Sequence, residues 1–120
     1  MYKSFKDMEI WQKAMDVAAD IFLITETLPH KEDYGLTSQI RRSSVSISAN
    51  IAEGFGREHT LDKINFYLYS RGSVFETQSH LEYGKRVKYF NEDIVNILDK
   101  KLSDLILSLN KLIKTLRENK

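Results

Sequence analysis

An all-α fold, an up-down antiparallel bundle of four helices, follows from three observations on this 120-residue chain. Apolar residues recur at spacings of three and four over long stretches, punctuating residues gather at three places, and no stretch alternates apolar and polar residues between hairpin turns. One Pro, five Gly, 42% hydrophobic and 29% charged residues suit a packed globule and exclude a collagenous or disordered chain. The length matches one domain over residues 1–120 with a single hydrophobic core.

The first helix is predicted from about Asp7 to Leu28. It starts near Ser4-Phe5-Lys6-Asp7, where Ser4 or Asp7 can accept from free backbone N–H groups, and stops before Leu28-Pro29. The second runs from about Gly35 to Glu53 and ends at Gly54-Phe55-Gly56, two glycines able to take positive φ. The third begins at Thr60, an N-cap with Asp62 complementing the dipole, and reaches about Lys88 or Tyr89. The fourth repeats that logic at Asn91, followed by Glu92 and Asp93, and continues almost to the carboxyl end.

On the fourth helix Ile94, Leu98, Leu102, Leu105, Leu109, Leu112 and Leu116 form one stripe, with Val95, Ile106 and Ile113 beside it and Leu107 opposite. The first helix carries two apolar rows. One is Met8, Trp11, Met15, Ala18 and Phe22; the other is Ile10, Val17, Ile21, Ile24 and Leu28. A bundle buries about one stripe per helix, so the second row needs a cover, and a neighbouring subunit is favoured over scattered surface apolar residues. Ile10, Val17, Ile21, Ile24 and Leu28 are therefore the candidate oligomer interface.

The chain has no Cys, which removes disulfides, thiolate nucleophiles and sulfur-ligated zinc. The run Ser43 to Ala52 is too short and too rich in Ser to span a bilayer. The amino end has no apolar run of a signal peptide, and Tyr2 stands where myristoylation needs glycine, so a cytoplasmic protein is expected. His30, His59 and His80 fall in different segments without the partners of a coordination shell, and neither a metal nor a cofactor is expected. Ser43, Ser44, Ser46 and Ser48 lack an evident base, and Gly54-Phe55-Gly56 lacks the Lys of a phosphate loop. Small side chains that let two helices approach explain these serines without catalysis, and no enzyme is predicted.

On the third helix Ile64, Leu68 and Phe75 define an inner stripe that also carries Arg71 and Glu82, with Gln78 beside it. Buried charges need partners, and Gln39, Asn50, Arg41 and Arg42 on the second helix are the candidates for a network fixing helix register. An active-site carboxylate is the lesser reading.

Net charge is +1 overall, but residues 36–90 hold eight Lys+Arg against five Asp+Glu. Their cations include Arg41, Arg42, Arg57, Lys63, Lys85, Arg86 and Lys88, with Tyr67, Tyr69, Tyr83 and Tyr89 interleaved, a composition compatible with phosphate contacts and base stacking. On one protomer a solvated helix surface is the stronger explanation; repeated around a symmetry axis, the patch becomes multivalent.

Three runs carry a family resemblance: Phe5 to Ala14 (FKDMEIWQKA), Tyr34 to Ser43 (YGLTSQIRRS) and Ser46 to Arg57 (SISANIAEGFGR), joined by Glu76-Thr77-Gln78. Together they resemble the four-helix-bundle proteins encoded in 23S rRNA intervening sequences. Ser48 departs from the pattern where relatives often carry Pro, which removes a helix interruption. That family is similar to the accessory variability determinant of diversity-generating retroelements, a pentameric barrel that associates with a reverse transcriptase and binds nucleic acid. The resemblance implies a homopentamer, a nucleic-acid ligand (RNA or DNA) and a reverse transcriptase or other protein partner. A protein-docking scaffold without nucleic-acid binding is the alternative.

Overall fold

The computed structural model describes residues 2–119, which form four long helices: α1, Glu9–Thr25; α2, Leu36–Gly56; α3, Thr60–Arg86; and α4, Glu92–Glu118. Short 3-10 turns at Phe5–Asp7 and His30–Glu32 precede α1 and α2, and the described residues contain no strand. Each helix packs on its neighbours in sequence, and α4 returns to α1, closing a four-membered ring of helices 47 Å long and about 20 Å across. The α2–α3 contact is the most intimate and α1–α4 the loosest.

The helix ends differ from expectation in instructive ways. Ser4 and Asp7 do cap a turn, with the Ser4 hydroxyl accepting from Lys6 N at 3.1 Å and Asp7 Oδ2 from Ser4 N at 3.2 Å. That turn is the 3-10 segment, however, and α1 starts two residues later. The first N–H of α2 is satisfied from a distance: Glu32 Oε1 accepts from Leu36 N at 3.2 Å, where Gly35 offers no side chain. Gly54 and Gly56 remain helical, and no glycine takes positive φ. The value of Gly54 is space, because a Cβ there would lie 2.7 Å from the Tyr67 ring. Positive φ falls instead on Lys88, at 71°, where the chain turns out of α3 and Tyr89 N and Phe90 N both donate to Gly84 O. Phe90 then folds back over Gly84, leaving no room for a Cβ. His59 occupies the N-cap of α3, whereas α4 is capped as its sequence implies, by Asn91 Oδ1 accepting from Ile94 N at 2.8 Å.

The core explains why α2 and α3 approach so closely. The inner face of α3 is Ile64, placed there by the spacing, with Tyr67, Ser70, Val74, Thr77, Leu81 and Gly84, and that of α2 includes Ile40, Ser43, Ile47, Ile51 and Gly54. Both follow a spacing of three and four, and small residues in each turn let the backbones come together. Ser70 donates to Ile47 O at 2.8 Å across this contact. On α4 the buried stripe is Val95, Leu98, Leu102, Leu105, Leu109 and Ile113, with Leu112 and Leu116 half-buried. Ile94 is rotated outward, a displacement of one residue from the predicted stripe, and Leu107 is exposed as its position opposite the stripe implies.

Candidate nucleic-acid interface

The seven cations singled out in the sequence do not converge on one protomer. Arg41 and Arg42 project to opposite flanks of α2. Arg41 Nε donates to Thr25 Oγ1 at 2.8 Å, its guanidinium lies 3.6 Å from Glu26 and stacks 4.6 Å above the Phe22 ring, tying α2 to α1. Arg42 pairs with Glu76 of α3 at 2.6 Å, and His80 meets the same carboxylate at 3.3 Å. Arg57 and Lys63 lie at the α2–α3 turn. Arg57 pairs with Glu53 at 3.3 Å and covers the Phe66 ring, while Lys63 Nζ donates to the terminal carbonyls Gly54 O and Phe55 O at 3.3 and 2.8 Å.

Because α2 and α3 run antiparallel, Lys85, Arg86 and Lys88 fall at the other end of the bundle. These three are brought together. Lys85 reaches Glu82 at 3.0 Å and Arg86 approaches the same carboxylate at 3.7 Å; Lys88 has no acidic partner among the described residues. Lys85 and Lys88, with Tyr89, Phe90, Asn91 and Glu92, line a cleft of about 420 Å³. Tyr83 is exposed beside it, and Tyr89 donates its hydroxyl to Glu32 Oε2 at 2.9 Å, joining this corner to the α1–α2 connection. That hydrogen bond, with some burial, raises the Tyr89 pKa above the ordinary tyrosine value. Burial alone raises that of Tyr67.

The inner ionic network is a correction. Arg71, Gln78 and Glu82 lie on the flank of α3, half-buried, because the small residues Ser70, Thr77 and Gly84 claim the inside and rotate the helix; Phe75 is rotated out with them and is exposed. Arg71 donates to Asn110 Oδ1 at 2.8 Å and Gln78 to Ser103 Oγ at 3.1 Å, so both reach α4 and not α2. Gln39 accepts from Arg42, and Asn50 donates to Ser46 O within its own helix. The polar pair actually buried between α2 and α3 is Ser43 and Thr77.

The proposed oligomer row is also corrected. Val17 and Ile21 are fully buried, and Ile10, Ile24 and Leu28 pack partly against the core, because α1 rests in the groove between α2 and α4 and both sides of this row meet a neighbour. The apolar side chains left outside include Met15, Phe22 and Leu23 on α1, Ile97 and Leu107 on α4, and a set on α3, Leu61, Tyr69, Phe75 and Tyr83, of which periodicity had placed Phe75 inside. The readable signal for that set is that α3 carries apolar residues on both faces.

Among the described residues no three His, Asp or Glu side chains gather into a metal site, and no helix is long and apolar enough to cross a membrane. The antiparallel order of the helices, the close α2–α3 seam and the charged exterior define a small four-helix-bundle protein. The chain belongs to the 23S rRNA-intervening sequence protein family, which matches residues 6–111. Its fold is similar to that of a solved protein of unknown function from Bacteroides thetaiotaomicron VPI-5482, described as from the S23 ribosomal protein family. The two share 23% sequence identity and a TM-score of 0.79, over 88% of this chain and 98% of that one. No functionally curated protein matches the chain.

Proposed function

We propose that this protein is a non-catalytic, homo-oligomeric binding module of the cytoplasm that contacts RNA or DNA through the basic corner at the end of α3. The observation that carries this reading is the convergence of Lys85, Arg86 and Lys88 on one corner beside exposed Tyr83, with Lys88 free of acidic partners among the described residues. Cations hold phosphates and tyrosine faces stack unpaired bases. Three cations on one chain make a weak site. A ring of five, as the resemblance implies, multiplies it, and an accessory role beside a reverse transcriptase or another nucleic-acid enzyme would use such a ring.

Fluorescence anisotropy of labelled structured RNA and duplex DNA across a salt series tests the reading. Wild-type affinity is expected to fall linearly on logarithmic axes, and the triple substitution Lys85→Ala, Arg86→Ala, Lys88→Ala to flatten that slope by about two to three per chain engaged, at roughly 0.7–0.9 per lost phosphate contact. Absence of binding at low salt would favour the second reading, a protein-docking scaffold. That reading draws on the apolar cleft between α1 and α4, about 200 Å³, lined by Leu23, Ile24, Ile94, Ile97 and Leu98.

A further inference from the structure

The turn between α3 and α4 carries a strain that the protomer does not explain. Lys88 stands in the left-handed region at φ 71°, one residue past the C-cap of α3, where glycine is the usual occupant. Stability alone favours glycine there. Strain of this kind persists where the side chain is needed for another purpose. Lys88 is exposed, and of the three cations in this corner it is the one with no acidic partner among the described residues, whereas Lys85 and Arg86 share Glu82 at 3.0 and 3.7 Å.

The cleft that Lys88 lines, about 420 Å³, also presents an aromatic ring and both kinds of hydrogen-bonding group. Tyr89 is anchored through its hydroxyl, which donates to Glu32 Oε2 at 2.9 Å, while Glu32 Oε1 accepts from Leu36 N. An aromatic face held in this way loses little freedom when a second ring stacks on it. Asn91 commits its Oδ1 to Ile94 N at 2.8 Å, and its amide N–H groups have no acceptor among the described residues. Glu92 adds an exposed carboxylate. Donors, an acceptor, a fixed ring and one unmatched cation therefore meet in a space of the size that small-ligand pockets have. Tyr34, 98% exposed, extends from the same turn that Glu32 holds through Gly35 N and Leu36 N, and the fold gives it almost nothing to touch.

We propose that this cleft takes one unpaired nucleotide of a single-stranded segment, with its phosphate on Lys88, its base against the Tyr89 ring and its edge toward Asn91 and Glu92, the neighbouring base stacking on Tyr34. The proposal rests on the nucleic-acid reading of this corner and narrows it to unpaired strands. A duplex keeps its bases stacked on one another, so it would meet Lys88 and leave the cleft unfilled. The Glu92 carboxylate sets the direction and the preference: it repels phosphate and accepts from an exocyclic amino group, which cytosine has and uracil lacks. A ring of five chains would present five such clefts, and one flexible strand can engage several.

Anisotropy of short labelled cytosine and uracil oligonucleotides and of a blunt duplex of the same length tests this. The cytosine strand is expected to bind about tenfold or more tighter than the duplex at equal salt, roughly the effect of stacking one base. Lys88→Gly is expected to move two properties in opposite directions. Its melting temperature rises as the strain is relieved, while the single-strand salt slope falls by about 0.7, the share of one phosphate contact. Tyr34→Ala is expected to weaken single-strand binding about fivefold or more at an unchanged melting temperature, and Glu92→Ala to level cytosine with uracil. Equal binding of duplex and single strand, or a Lys88→Gly chain that binds with the wild-type slope, would overturn the proposal and leave the nucleic-acid reading standing. Binding of none of these probes at low salt would overturn both.

Discussion

The hydroxyls of Ser43 and Thr77 meet 2.8 Å apart at the centre of the α2–α3 contact, both side chains wholly withdrawn from water. Ser43 Oγ also lies 3.2 Å from Ile40 O and Thr77 Oγ1 2.8 Å from Ser73 O; with one proton on each hydroxyl, two of these three contacts are donated at a time, and a hydroxyl that donates to the other gives up its own carbonyl. Thr77→Val keeps the shape and deletes one partner. It is expected to cost about 1 kcal/mol in denaturant unfolding, and the double variant Ser43→Ala, Thr77→Val less than the sum of the singles, because neither then leaves an orphaned hydroxyl.

Gly84 and Phe90 give a steric prediction. An added methyl at Gly84 collides with the Phe90 ring that closes the α3–α4 turn, so Gly84→Ala is expected to lower stability by about 1–3 kcal/mol, and Phe90→Leu in the same chain to recover part of it. Gly56→Ala, where the methyl meets nothing, is expected to gain about 0.5–1 kcal/mol. Thermal melts of these variants beside wild type check the contrast.

Tyr89 makes stability depend on alkaline pH. Its hydroxyl donates to Glu32, so its folded pKa stands above the unfolded value of about 10. The stabilisation is therefore full below about pH 10 and is lost as pH rises through the folded pKa. Melting temperatures of wild type and Tyr89→Phe are expected to differ at neutral pH and to converge at strongly alkaline pH. A constant difference across the titration would show that the hydrogen bond does not stabilise the fold.

Arg71→Ala and Glu82→Ala are expected to cost less than about 1 kcal/mol each. Both side chains are half-exposed and bonded at the rim, to Asn110 and to Lys85 and Arg86, where water can replace what is removed. Losses of several kcal/mol in urea unfolding would place these charges inside the bundle.

Much of this molecule is legible in its residues. Four helices, the breaks near Pro29, Gly56 and Asn91, the Asn91 cap and most of the α4 stripe follow from periodicity and local hydrogen-bond chemistry, which act over a few residues and need no knowledge of the neighbours. The inner face of α3 was not legible by the same means. Phe75 is apolar yet exposed, and Ser70, Thr77 and Gly84 are small or polar yet buried, because close approach to α2 rewards small volume over hydrophobicity. The row from Ile10 to Leu28 needed no partner subunit once α2 and α4 were placed on both sides of α1. The cations divided between the two ends because antiparallel helices send Arg57 and Lys63 to one end of a 47 Å bundle and Lys85, Arg86 and Lys88 to the other. Helix identity thus belonged to the sequence alone, through local propensity and spacing. Which face turned inward, which charges met and which surface stayed uncovered were decided only by tertiary packing, because each depends on the shape of a neighbour far away in the chain.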